Sequence, residues 1–107
     1  MTGAMNNFQR KLRSLYQEGK HKYMEEYERF IETLKPRIKR ALEEAAADGW
    51  SYIYMKELIV RLDIPEQHRI RSKHSIELFI RDYIKNELGL DHYTPKGLSK
   101  SYFTWVK

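Results

Sequence analysis

Residues 8–47 read FQRKLRSLYQEGKHKYMEEYERFIETLKPRIKRALEEAAA. In this stretch Phe8, Leu12, Tyr16, Gly19, Tyr23, Tyr27, Phe30, Leu34, Ile38, Ala41 and Ala45 follow one another at steps of 4, 4 and 3. The period is roughly 3.67 residues, that of one face of a long α-helix. Leu15, Met24, Ile31 and Leu42 widen the stripe to the sector that a buried helix face needs. A repeat near eleven residues also argues against an ordinary left-handed coiled coil. Two residues weaken the helix. Gly19 lies on the stripe and costs about 1 kcal/mol relative to Ala, marking a break or a place of close backbone approach. Pro36 lies off the stripe, which keeps its phase across it, so a kinked helix or two nearly collinear ones are expected. Asp48-Gly49 ends the helix, with Gly49 as a left-handed cap.

Downstream of this cap the period changes. Trp50–Met55 alternates and is rich in aromatic and β-branched residues, so it reads as a short strand, with Trp50 as a lid on the core. Lys56–Leu62 carries Leu58, Ile59 and Leu62 as a short helix, which Asp63-Ile64-Pro65 stops. Glu66–Arg71 reads as a polar connection. Ser72 is a suitable N-cap for a helix over Lys73–Leu88, whose Ile76, Phe79, Ile80, Tyr83, Ile84 and Leu88 share a face. Gly89 caps that helix. The chain then forms a hairpin, with Leu90–Tyr93 and Ser101–Val106 as arms and Thr94-Pro95-Lys96-Gly97 as the turn. The expected organisation is a disordered start over 1–7, a helical arm over 8–47 and a compact domain over 48–107. The fold class is α+β, mainly α.

Composition narrows the chemistry. At 107 residues the chain holds one domain, or one small domain plus a helical arm. It has no Cys, which excludes disulfides, thiolate metal sites and thiol catalysis, and fits a reducing, intracellular setting, cytoplasmic or nuclear. No apolar run approaches the length of a membrane span. The formal charge is +5, which favours an acidic partner such as nucleic acid. His21, His68, His74 and His92 share no metal-ligand spacing and read as surface or cap residues. Glu43 and Glu44 are consecutive on a helix and point apart, so they form no acid–base pair. With no phosphate loop and no nucleophile elbow, a non-enzymatic protein without a cofactor is expected.

The order helix, strand, helix, helix, strand, turn, strand over residues 37–107 resembles a winged helix-turn-helix domain. Trp50–Met55 takes the place of the first strand, Lys56–Leu62 and Lys73–Leu88 those of the second and third helices, and Thr94–Lys100 that of the wing. The connection Asp63–Ser72 is longer than the tight turn of that unit. The chain is also similar in style to short proteins of phages and large DNA viruses, through Leu42–Ala47, Gly49, Tyr52–Met55 and Tyr102–Val106. These resemblances imply DNA binding by a small regulator or accessory protein in a viral setting.

On that frame the expected nucleic-acid contacts are Arg69, Arg71, Lys73 and His74 at the start of the third helix, Arg81 and Lys85 further along it, and Lys96 and Lys100 on the wing. Acids dilute the helix, and Glu77–Arg81 is spaced as an (i, i+4) pair. Tyr52, Tyr54, Tyr102, Phe103 and Trp105 suggest a base-stacking surface, against which a core role weighs more heavily. The stripe from Phe8 to Leu34 spans roughly 40 Å at about 1.5 Å per residue, more than a domain of about 60 residues covers. Phe8, Leu12, Tyr16, Tyr23, Tyr27 and Phe30 are therefore expected in a homodimer interface, antiparallel or crossed. The alternative is a protein-interaction module that grips a host or virion protein with the same helix.

Overall fold

The computed structural model describes residues 6–106. A helix α1 (Asn7–Ala47) leads to β1 (Tyr52–Tyr54), α2 (Met55–Leu62), α3 (Glu66–Arg71), α4 (Lys73–Asp82), β2 (Asp91–Tyr93) and β3 (Tyr102–Thr104). The protein is α+β and mainly α. Residues 1–5 of the expected disordered start lie outside the described residues. Asn6 and Asn7 are ordered: the Asn6 side chain accepts a hydrogen bond from the Gln9 amide (2.7 Å), and the Asn6 amide donates to Gln9 Oε1 (3.0 Å). This reciprocal pair is a capping box that satisfies two groups at the start of α1.

The described residues divide into two compact units between Glu32 and Thr33. α1 is assigned as one helix across both Gly19 and Pro36. The first unit is helical from Asn7 onward. Its Phe8, Leu12, Leu15, Tyr16 and Met24 are exposed, Phe8 by 65%. Tyr23, Tyr27, Phe30 and Ile31 are half-buried. Among the described residues no heavy atom outside the local helix lies within 4 Å of a Cβ built on Gly19.

The second unit owns the core. Leu34, Ile38, Ala41, Leu42 and Ala45 of α1 are buried, which explains why the helix tolerates Pro36. A proline in a helix interior costs about 3 kcal/mol. Each fully buried Leu or Ile recovers about 1.5–3 kcal/mol, so the apolar face outweighs one lost hydrogen bond. Met55, Leu58 and Leu62 of α2, Ile76 and Ile80 of α4, and Ile53 and Phe103 of the sheet fill the remainder. The end of α1 is a Schellman motif: the Trp50 amide donates to Ala45 O and the Gly49 amide to Ala46 O, both at 3.0 Å. Gly49 holds φ +92°, which glycine adopts without a Cβ clash.

The sheet has the order β1-β3-β2, antiparallel throughout. Ile53 and Phe103 are paired and buried, so alternation sends Tyr52, Tyr54 and Tyr102 to the opposite face. The reversal between β2 and β3 contains Gly97 at φ +105° and a 3₁₀ turn over Leu98–Lys100. No helix among the described residues is long and apolar enough to cross a membrane.

Three local expectations are corrected. Glu66–Arg71 is a helix rather than an irregular connection. Pro65 stands immediately before it, and the His68 and Arg69 amides both donate to Pro65 O at 3.0 Å. Glu66 in its first turn and Arg69 and Arg71 in its last suit the helix dipole. The helix from Lys73 does not stay regular to Leu88: it widens into a π turn over Tyr83–Glu87, which buries Tyr83 and Ile84 together. Trp50 is no core lid, being 46% exposed. The positive φ at Gly49 turns it outward, edge-on to Tyr52 at 6.0 Å.

Candidate nucleic-acid interface

The α3–α4 junction gathers basic residues because two helices meet there across one residue. Arg69 and Arg71 occupy the last turn of α3 and Lys73 and His74 open α4, all four exposed. Ser72 holds the N-cap position of α4, but its side chain makes no capping bond; its carbonyl accepts from the Ile76 amide at 2.9 Å. Lys73, His74 and Glu77 line a cleft of about 360 Å³ whose far wall is Leu98 and Ser99. The start of α4 thus borders the 3₁₀ turn of the β2–β3 reversal. Ser101 locks that turn, its buried hydroxyl donating to Leu98 O at 2.5 Å.

The other expected contacts are dispersed. Lys100 faces α2, where it joins Tyr54, Lys56, Val60, Arg61 and Ser99 around a larger cleft of about 550 Å³. Lys56 and Arg61 were not among the expected contacts, and Arg61 pairs with Glu57 of the same helix at 3.9 Å. Val60, 73% exposed, adds an apolar side chain to the lining of this cleft. Arg81 is tied to Asp82, with Nη2 2.9 Å and Nε 3.0 Å from Oδ1. The expected Glu77–Arg81 pair is not among the ion pairs of the described residues. Glu77 is instead 3% exposed, because Ile76 and Ile80 draw this side of α4 into the core. Lys85 lies in the π turn and, with Arg81, acts on His92 of β2 rather than on the junction. Lys96 is exposed on the reversal.

The histidines are not uniformly superficial. His21 is exposed and pairs with Glu25 at 3.1 Å, as expected of a helix surface. His68 is 3% exposed, on the inner side of α3. His92 is half-buried, stacked on Phe103 at 4.8 Å, and its Nε2 is buried without a hydrogen-bond partner. Burial first, and then the Lys85 and Arg81 charges, hold its pKa below the usual imidazole value. This has a sign for stability. Above about pH 6.5 both folded and unfolded chains carry neutral His92, and it adds no pH dependence. As the pH falls below that point the unfolded chain takes the proton first, so stability declines until the lowered folded pKa is reached. Thermal melts of wild type are therefore expected to lose stability between pH 7 and 5 by more than those of His92→Gln. Equal slopes would refute the assignment.

The aromatic residues of the sheet separate by face. Of the five residues for which a core role was expected, Phe103 alone is buried, while Tyr54 is exposed and Tyr52, Tyr102 and Trp105 are half-buried. Tyr54, Tyr102 and Tyr93 form a row across the three strands, with ring centroids 5.8 and 5.2 Å apart, and Tyr52 adds to it at 5.5 Å from Tyr54. Tyr54 and Tyr93 are each 47% exposed. These cross-strand pairs consolidate a sheet of only three-residue strands. Trp105 is half-buried and donates from Nε1 to Trp50 O at 3.0 Å.

Of the residues expected at a dimer interface, Phe8, Leu12 and Tyr16 are 65%, 49% and 57% exposed. Tyr23 and Tyr27 stack on each other at 6.1 Å, and with Phe30 are half-buried. Comparison with known proteins finds no match: no protein-family model, no curated protein and no solved structure is similar to this chain.

Proposed function

We propose that residues 33–107 form a winged-helix module that binds duplex DNA, and that the protein is a non-enzymatic regulator or accessory factor acting as a homodimer. The observation that carries this reading is the α3–α4 junction, where Arg69, Arg71, Lys73 and His74 are all exposed within one short stretch and Lys73 and His74 border the Leu98–Ser99 turn. Phosphate oxygens are matched by such a group of cations, to which the amides at the start of α4 add partial positive charge. Apart from the additional helix α3, the element order and the β2–β3 reversal carrying Lys96 support the winged-helix assignment. Because Arg81 is neutralised by Asp82 and Lys100 faces α2, the proposed contact rests on the junction and Lys96 more than on the length of α4.

The test is a fluorescence anisotropy titration of a labelled duplex at several salt concentrations. Each phosphate contact adds about −0.9 to the slope of log K against log salt, so contacts from Arg69, Arg71, Lys73 and Lys96 predict a slope of roughly −3 or steeper. Affinity that does not change with salt overturns the proposal. The rival reading, a module that docks on another protein, is favoured by the exposed Phe8, Leu12, Leu15, Tyr16 and Met24. It predicts no duplex binding at low salt.

A further inference from the structure

We infer that the first unit pairs with the same unit of a second copy in an antiparallel arrangement centred near Gly19. The inference rests on the self-association part of the reading above and gives it a geometry. Three observations converge. The first is the exposed stripe itself, in which Phe8, Leu12, Leu15, Tyr16 and Met24 are uncovered along one helix. A second copy buries it without any other element of the chain.

The second is the position of Gly19. It stands midway between Phe8 and Phe30 on the stripe, with open space where a Cβ would be. A residue without a side chain at the crossing point lets two helix backbones come closest there. In an antiparallel pair centred on it, Leu12 falls beside the partner's Tyr27, and Tyr16 beside the partner's Tyr23.

The third is charge order. Arg10, Lys11, Arg13, Lys20 and Lys22 form a basic block that begins before Gly19, and the acidic Glu25, Glu26, Glu28 and Glu32 come after it. Parallel pairing sets each block against its own kind. Antiparallel pairing sets the basic block of one copy against the acidic block of the other. Helical phase places Lys11 and Glu26 on one flank of the stripe, and Arg13 and Glu28 on the other. Lys11 of one copy then meets Glu26 of the next, and Arg13 meets Glu28, within the reach of long side chains. None of these four residues takes part in an ion pair among the described residues, whereas nearby Glu25 is engaged by His21 and Arg29. The unused charges are thus the ones the second copy complements.

Charge exchange tests this, read by sedimentation velocity of the full chain without nucleic acid. Wild type is expected to be dimeric at micromolar concentration. The variants K11E/R13E and E26K/E28K each turn every proposed contact repulsive, and each is expected to dimerise about a hundredfold more weakly. Mixing the two variants restores the attraction and is expected to restore a dimer of wild-type affinity. Circular dichroism of each variant checks that helix content is kept. A monomeric wild type overturns self-association as a whole, and with it this geometry. A dimeric wild type whose variants dimerise unchanged overturns the antiparallel geometry alone. Neither result bears on duplex binding by the second unit, which the anisotropy titration reads separately.

Discussion

Phe103→Ala is expected to destabilise the second unit by about 3–5 kcal/mol, the usual cost of removing a buried phenyl ring. Phe103 is fully buried on the central strand, pairs in register with Ile53 on one side and His92 on the other, and stacks on the His92 ring. Its cross-strand neighbours cannot relax into the space, because Ile53 is fixed by the β1 ladder and His92 by that of β2. A small domain has only about 5–15 kcal/mol in total, so this one change consumes roughly a fifth or more of it. At about 4–8 °C per kcal/mol, the midpoint of thermal unfolding should fall by roughly 12 °C or more. Tyr102→Ala, one residue earlier on the open face, should cost only about 1 kcal/mol, the scale of a cross-strand pair. Calorimetry of the two variants decides which face of β3 is the core. Equal losses would reverse the assignment.

The second large effect concerns binding. Changing Arg69, Arg71 and Lys73 together to Glu should weaken duplex binding by about 100-fold at fixed low salt and reduce the salt slope by about three units, one for each phosphate that is no longer neutralised. All three side chains are exposed and none belongs to the buried core, so the thermal midpoint should stay within a few degrees of wild type. Arg81→Glu serves as the internal control. Its guanidinium is held by Asp82, and its loss should change affinity far less than that of any junction residue. Anisotropy titrations of the two variants against one duplex make the comparison. An Arg81 effect as large as that of the junction triple would move the interface along α4 and away from the β2–β3 reversal.

Elements whose signal is local were legible. The stripe from Phe8 to Ala45 specified helix throughout, as one kinked helix or two nearly collinear ones, because side-chain direction repeats with backbone geometry alone. Gly49 marked its end because only a residue without Cβ sits comfortably at φ +92°. Alternation in β1 and β3 matched the pairing of Ile53 with Phe103 in the core. The short helix α3 was hidden because its six residues present no apolar periodicity; Pro65 was the one signal that could have revealed it. The widening of α4 into a π turn was invisible for a related reason, since it arises where Tyr83 and Ile84 are buried side by side.

The candidate site was legible as a set of residue types but not as a place. Arg69, Arg71, Lys73 and His74 are close in the chain and all four are exposed at the α3–α4 junction. Arg81, Lys85 and Lys100 were assigned to the same surface by analogy of order, and the folded chain sent them elsewhere. Their neighbours Asp82, His92, Lys56 and Arg61 come from the packing of α4 against β2 and of α2 against the reversal.

By itself the sequence determined the helix, its C-terminal cap and the alternating strands, since periodicity and φ preference are properties of neighbouring residues. Only the tertiary structure decided that His68 and Glu77 lie inside, that Trp50 and the tyrosines of the sheet face out, and which cations share a surface. Those outcomes depend on which elements pack together, and contacts between residues far apart in the chain are written in no single stretch of it.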